Sequence, residues 1–208
     1  MLTRNRPAMA ERARRAFHSQ TYENKVLVVW DTSADPNPPS IGVLRNDANS
    51  TTKCDILVHW DDDDWSHPQR IAEQVALLQS SGKQCVGYRE APFFDTRKNY
   101  GQEWLLFGGA AWLFSSPDPR YVLGTSMCYW RRAWEQLPFD DAQHEDQRWW
   151  LRNASLCKGV SALRQEPRMV CEIHGKNTEA YDPAVMARAK EWTRTRYLNP
   201  YCRTAMTL

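Results

Sequence analysis

Four consecutive aspartates, at positions 61 to 64, follow closely on the apolar run Ile56-Leu57-Val58. Like charges about 4 Å apart repel by roughly 4 kcal/mol at the effective dielectric near a protein surface. Such a cluster persists if water surrounds it, if some carboxyls stay protonated, or if a cation lies among the oxygens. Oxygen ligands favour Mg²⁺ or Mn²⁺ over zinc or copper. At the carboxyl end of a buried strand, the pattern indicates a metal and phosphate site, with a solvated acidic loop or a calcium site as alternatives.

A second acidic pair, Glu145-Asp146, precedes a helical pattern that carries Trp149 and Trp150. A carboxylate in a partly buried site can act as a general base, and repulsion from its neighbour would raise the pKa of one of the two. The plainer alternative is that both acids simply favour a helix N-terminus. His174 directly follows the apolar run 169–173, where it could be a metal ligand or a surface residue.

The composition is that of one globular domain: 208 residues, with 42% hydrophobic and 25% charged side chains. A net charge of +2 gives no strong electrostatic case for a nucleic-acid-binding protein. Apolar runs fall far short of the roughly 20 residues that span a bilayer, and the polar opening residues predict no signal peptide. The six cysteines include no C-x-x-C pair, so we expect no zinc ribbon and a reducing, cytoplasmic compartment.

Hydrophobic periodicity predicts helices and strands in alternation, as in a βαβ sheet. The predicted helices lie at 7–17, 69–81, 131–137, around 149–154 and from 182 to about 197, and the predicted strands at 25–30, 54–58, 84–88, 124–130 and 169–173. Residues 89–120 are predicted to form a strand pair that carries a loop. A parallel sheet normally has a strand before its first helix, and we expect that strand to be missing here.

Ten tryptophans are many for this length, and most are expected to pack in the core. Some could instead form stacking platforms for a sugar ring or a base, with Trp104, Trp112 and Trp130 as the candidates. The arginines of the first helix and of the turn before it are most simply a solvated helix face, although Arg4 or Arg6 could meet a phosphate. His59, His67 and His144 are predicted to be surface residues or to support the site indirectly.

Four motifs occur in one order along the chain: Thr3-Arg4-Asn5-Arg6-Pro7 with Gln20-Thr21-Tyr22, Trp30-Asp31-Thr32-Ser33, Trp60-Asp61-Asp62-Asp63-Asp64 with Pro68, and His144-Glu145-Asp146. This ordered set resembles the family 2 glycosyltransferases of the GT-A fold. The resemblance covers nearly the whole chain and begins just after that family's first strand.

The resemblance implies an α/β fold, with a GT-A-type, Rossmann-like mixed sheet flanked by helices and lacking the usual first strand. It implies a single domain over residues 1–208. About 1–120 would form the half that binds a nucleotide sugar. About 121–208 would form the half that holds the acceptor and the catalytic base, with a C-terminal helix. The implied reaction is inverting transfer of a sugar, of the hexosyl or N-acetylhexosaminyl class, from a UDP-linked donor to a hydroxyl.

The resemblance also implies roles for individual residues. Asp146 would be the catalytic base, with Glu145 beside it. Asp61, Asp63 and His174 would hold Mn²⁺ or Mg²⁺. The nucleotide sugar would be bound by Thr3, Arg4, Arg6, Asp31 and Asp61, and the acceptor or sugar side would include Asp64, Gly124, Thr125 and Trp130. Trp30 departs from the pattern because a carboxylate usually precedes Asp31.

Two other functions fit the same residues. A sugar-nucleotide nucleotidyltransferase also combines an α/β sheet with acids and a metal, but its Gly-rich phosphate loop is not seen. A non-catalytic module that binds carbohydrate or nucleic acid is the other. The acceptor stays open among a glycan, a small molecule, a protein and a hydroxylated viral DNA base. We expect a cytoplasmic enzyme, in the host cytoplasm if the gene is viral.

Overall fold

The computed structural model describes residues 1–95, 111–163, 167–175, 177 and 192–195. The helices are α1 (Pro7–His18), α2 (Ile41–Ser50), α3 (Arg70–Ser81), α4 (Arg131–Gln136) and α5 (Glu145–Asn153). The strands are β1 (Leu2–Thr3), β2 (Trp30–Asp31), β3 (Ile56–Val58), β4 (Trp65–Ser66), β5 (Cys85–Asp95), β6 (Ala111–Ser115), β7 (Cys128–Trp130), β8 (Cys157–Ser161), β9 (Met169–Ile173) and β10 (Trp192–Thr195). A 3₁₀ turn, Gly124–Ser126, precedes β7.

Local signals set the ends of the longer helices. Pro7 starts α1, where its missing N–H costs no hydrogen bond. The Ser40 hydroxyl caps α2 by accepting from the Val43 N–H. Gly82, in the left-handed conformation with φ of 67°, ends α3 as the sequence predicts. None of the helices in the described ranges is both long and apolar enough to cross a bilayer.

The strand β5 is the centre of a curled mixed sheet flanked by helices. It pairs antiparallel with β6 and β7, and parallel with β8 and β9. Its eleven residues are long enough for two partner strands to share each edge, and they are buried along almost their whole length. Two apolar clusters pack on this sheet, one around Phe93, Phe114 and Met169 and the other around Tyr129 and Trp149. The predicted α/β class and its mixed sheet are confirmed.

The strand expected to be missing before the first helix is represented by two residues. Leu2–Thr3 pairs parallel with Trp30–Asp31, in a ladder separate from the large sheet. The prediction of a strand over 25–30 is therefore too long, because only its last residue joins that ladder. Residues 24–28 face β3 across a cavity of about 620 Å³. In the part of the chain that the structure describes, β3 pairs only with β7.

Three further elements differ from the prediction. The helix α2 and the strand β8 were not expected, because neither Ile41–Ser50 nor Cys157–Ser161 shows a strong apolar period. Trp192–Thr195, expected to end a C-terminal helix, is a strand that pairs antiparallel with β6. Its two threonines are β-branched and suit the sheet edge. The rest of that predicted helix lies outside the described residues.

Candidate active site

Residues 61–64, here called the acidic loop, connect β3 to β4 at the edge of a cleft of about 450 Å³. Asp61, Asp63 and Asp64 each present a carboxylate oxygen, and these oxygens lie within 4.8 Å of one another. The strand β3 ends at Val58, so the acidic loop lies close to the carboxyl end of that strand. The cluster is therefore a real feature of the fold and faces the cleft.

Two arginines approach the acidic loop from different elements. Arg6, at the N-terminus of α1, lies 3.1 Å from Asp62 Oδ1 and 2.9 Å from Asp63 Oδ2. Arg45, from α2, lies 3.6 Å from Asp61 Oδ1. The expectation that Arg6 is a solvated helix-face residue is wrong, because its side chain is 19% exposed and paired with two carboxylates.

Charge and burial shift the pKa values of Asp61 and Asp64 in opposite directions. Burial raises the pKa of Asp64 well above its ordinary value, and the charges of Asp63 and Asp61 raise it further. Burial acts on the pKa of Asp61 in the same direction, but Arg45 and other nearby positive groups bring it below the ordinary value. A divalent cation among these oxygens would relieve the repulsion that raises the pKa of Asp64.

The outer side of the acidic loop is fixed by β9 and the residues that follow it. β4 pairs with β9, so the loop and the end of β9 meet at one point. There His174 Nε2 lies 2.9 Å from Asp63 Oδ2, and the Glu172 N–H donates to Asp64 Oδ1 at 3.2 Å. His174 is buried, and its backbone N–H donates to Asn177 Oδ1. The structure thus places the late histidine directly on the acidic loop.

The second acidic pair lines the same cleft, at the start of α5. The Asp146 carboxylate lies against Gly124, so closely that a Cβ added to Gly124 would be 1.4 Å from Asp146 Oδ2. Glu145 is buried and is paired with Arg45, Nε to Oε1, at 2.7 Å. Burial raises the pKa of Glu145, and Arg45 opposes that rise. Of the two acids, Asp146 is therefore the one whose carboxylate is not held in this ion pair.

Some predicted site residues do not line the cleft. Asp31 is exposed and accepts hydrogen bonds from the Ser33 N–H and hydroxyl. Arg4 is exposed and donates to the carbonyls of Asp35 and Pro36. Trp130 borders the 620 Å³ cavity and pairs with Ile56 at the start of β3, whereas the acidic loop follows the end of that strand. Trp112 is buried at 7% exposure in the core, so it offers no stacking face, and Trp104 lies outside the described residues.

The remaining predicted residues contact the acidic loop or line the cleft. Thr3 donates its hydroxyl to Asp62 Oδ2 at 2.7 Å. Gly124 and Thr125 line the cleft, and the Thr125 hydroxyl makes a short hydrogen bond to Asp64 Oδ2. The two halves of the site, the acidic loop and Asp146, are thus bridged through the Gly124–Ser126 turn.

Sequence reasoning missed Arg45 and Arg12 as residues that support the site, and it left His59 as either a surface residue or an indirect support. Arg45 joins Asp61 to Glu145, but α2 itself carried no clear signal. Arg12 reaches from α1 to the Asp63 carbonyl at 2.9 Å and to Glu172 at 2.6 Å, so it is not merely solvated. His59 is buried, with Nδ1 2.6 Å from the Gly124 carbonyl, and burial together with Arg45 lowers its pKa well below the ordinary value.

Comparison with solved structures identifies proteins of similar fold. A structure of S. aureus TarS aligns with a TM-score of 0.58 and 13% sequence identity over 83% of this chain. The structure of S. aureus TarS 1-349 aligns with a TM-score of 0.57 and 13% identity over 82% of this chain. The chain shares the fold of TarS. The same TarS fragment in complex with UDP aligns with a TM-score of 0.54 and 13% identity over 83% of this chain.

The chain spans 36%, 58% and 59% of the length of these three TarS structures. No family model matches this sequence, and no curated protein matches it. At 13% identity, the likeness to TarS is a likeness of fold.

Proposed function

We propose that this chain is an inverting glycosyltransferase that moves a sugar from a UDP-linked donor to an acceptor hydroxyl. The observation that carries the proposal is that three clustered carboxylates and the separate Asp146 face one cleft of about 450 Å³. The shared fold adds support, because a TarS fragment of similar fold has been solved in complex with UDP. The four ordered motifs of the sequence indicate the same reaction.

The acidic loop is the proposed site for Mn²⁺ or Mg²⁺. Asp61, Asp63 and Asp64 present clustered oxygens of the type that these ions prefer, and His174 touches Asp63. The donor set therefore fits the ion, with Asp61, Asp63 and His174 as the residues that would hold it. When bound, the ion would neutralise charge on a diphosphate leaving group.

The proposed donor side also has cationic side chains of its own. Arg6 and Arg45 reach the acidic loop from opposite helices. They offset the carboxylate charge and are near enough to the cleft to bind phosphate oxygens. Thr3 holds Asp62, which keeps the turn before α1 against the loop. We therefore assign Arg6, Arg45 and Thr3 to binding the nucleotide sugar, with Asp31 and Arg4 on its exposed margin.

Asp146 is the proposed general base. Arg45 holds Glu145, so the carboxylate of Asp146 is left to accept the proton of the acceptor hydroxyl. Because Gly124 has no side chain, there is room beside it for the Asp146 carboxylate at the cleft wall. The hydroxyl oxygen attacks the anomeric carbon from the face opposite the diphosphate, the bond to the leaving oxygen breaks, and the configuration inverts.

A screen of nucleotide sugars with Mn²⁺ tests the proposed donor. The true donor should raise the Tm, because a ligand at 100 times its Kd stabilises the folded state by about 2.7 kcal/mol. Proton NMR of the fresh product should show an anomeric configuration opposite to that of the donor. Retention of configuration would exclude direct displacement, and pyrophosphate release from a nucleoside triphosphate would indicate a nucleotidyltransferase instead.

Gly124→Ala tests the wall behind the proposed base. The added methyl group would overlap the Asp146 carboxylate, so that side chain must move. We expect kcat to fall by at least about ten-fold, because small displacements of catalytic groups are costly, while UDP affinity changes little. Gly175→Ala is the matched control, since a Cβ there meets no atom of the described residues within 4 Å. Equal kcat values for the two variants would contradict this placement of Asp146.

A further inference from the structure

Arg70, in the first turn of α3, is 1% exposed and is among the largest fully buried side chains of the described residues. Its guanidinium donates to the carbonyls of His59 at 3.0 Å and Thr125 at 2.9 Å. It also donates to the Ser66 hydroxyl at 2.8 Å and to Gln74 Oε1 at 3.3 Å. All four acceptors are uncharged, and no carboxylate in the described part of the chain lies within ion-pair distance of this guanidinium.

Burying an arginine costs free energy, which must be offset by the hydrogen bonds that its guanidinium makes. Removing a charge from water costs several kcal/mol, and an apolar side chain of similar volume often stabilises a core equally well. The fork of a guanidinium, by contrast, can bind several oxygens in fixed directions, which the single ammonium of a lysine does not do. The Trp60 ring, 5.2 Å from the guanidinium carbon, completes the packing. The feature that distinguishes Arg70 is therefore that its guanidinium donates hydrogen bonds to four oxygens at once.

Those oxygens belong to the two segments that carry the proposed site. The His59 carbonyl lies just before the acidic loop, and the Thr125 carbonyl lies in the Gly124–Ser126 turn. One nitrogen, Arg70 Nη2, donates to both, so it fixes the separation of the two backbones at one point. Gln74, one helical turn along α3, donates to the Ser126 carbonyl at 2.7 Å and strengthens the same junction.

The turn that Arg70 holds supports both sides of the cleft. From it, the Thr125 hydroxyl bonds Asp64, and the Gly124 backbone abuts the Asp146 carboxylate. We propose that Arg70 is a positioning residue, which sets the acidic loop and Asp146 at the spacing that the reaction needs. Its effect on sugar transfer rests on the proposed function, whereas its effect on the turn does not.

Hydrogen exchange tests the positioning role without any substrate. In Arg70→Lys, the amides of Ser126 and Met127, which bond within the turn, should exchange at least about ten-fold faster. Arg131→Lys is the matched control, because Arg131 also donates to backbone carbonyls, those of Asn49, Thr52 and Cys54, at the far end of β3. Unchanged exchange at Ser126 and Met127, or an equal increase in the control, would overturn the proposal.

Steady-state kinetics test the consequence for the reaction. Well below its Tm, Arg70→Lys should show a kcat lowered by about ten-fold or more, with the KM for the donor within about three-fold of wild type. Arg131→Lys should lower only the Tm. A loss confined to KM, or a kcat within two-fold of wild type, would refute the role of Arg70 in catalysis.

A second variant covers the case in which Arg70→Lys does not fold. Gln74→Met keeps the side-chain volume but removes the bonds to Arg70 and to the Ser126 carbonyl. It should change exchange and kcat in the same directions by smaller factors, and an unchanged turn in this variant would overturn the proposal. A wild-type protein that neither binds UDP nor transfers sugar would refute the proposed function, and the exchange data would still decide the role of Arg70.

Discussion

Asp146→Asn is expected to lower kcat by about 10²- to 10⁴-fold, the range that a positioned general base contributes. The substitution preserves the shape of the side chain at the cleft wall beside Gly124, so the site should stay assembled. Affinity for UDP and Mn²⁺ should change little, because Asp146 is not among the three clustered carboxylates of the acidic loop. Initial rates with saturating donor, together with a UDP titration, measure both quantities.

Two comparison variants make that result specific to Asp146. Asp141→Asn removes an exposed carboxylate a few residues before α5 and should leave kcat unchanged. Glu145→Gln should lower the Tm more than Asp146→Asn does, because it removes the negative charge of the 2.7 Å partner of the half-buried Arg45. A kcat for Asp146→Asn within three-fold of wild type would show that another group takes the proton.

Asp63→Ala is expected to weaken Mn²⁺ binding by at least about 100-fold, since even residues that only orient metal ligands are worth 10- to 100-fold in affinity. The variant also removes the oxygen that both Arg6 and His174 contact. Transfer activity should fall with the loss of Mn²⁺, and the wild-type enzyme should lose activity in EDTA. Titration of Mn²⁺ by calorimetry gives the affinity directly.

Asp62→Asn is the matched comparison within the acidic loop. Its carboxylate accepts from Thr3 and Arg6 and does not belong to the three clustered oxygens. The Mn²⁺ affinity of the Asp62→Asn variant should therefore stay within about three-fold of wild type. Unchanged activity in Asp63→Ala, or activity that survives EDTA, would remove the metal from the proposed mechanism.

The parts of the site that sequence reasoning placed well are those encoded locally. The acidic loop follows an apolar strand, and Glu145-Asp146 begins a helix, so each pattern can be read within a few residues. The order of these motifs along the chain then gave the fold class and the expectation that they converge. The structure brings Asp61, Asp63, Asp146 and His174 around one cleft or onto its rim.

The residues that sequence reasoning missed depend on contacts between distant segments. The role of Arg45 can be recognised only in the folded structure. There it contacts Asp61 and also Glu145, which lies one hundred residues later in the chain. Arg12 and Arg70 are arginines on amphipathic helices, where a solvated position is the ordinary expectation. Trp130 failed as a cleft residue because it pairs with Ile56 at the start of β3, whereas the acidic loop follows the end of that strand.

The pairing of β5 has a consequence for how the polypeptide can be divided. Three of its four partner strands, β7, β8 and β9, come from residues beyond 120. A fragment that ended there would keep the acidic loop but leave most of the edges of β5 without hydrogen-bond partners, open to association with other chains. We therefore expect the two halves suggested by the motifs to fold together, as one cooperative unit. Experiments that swap one half for that of another protein of this fold must preserve the register of this strand.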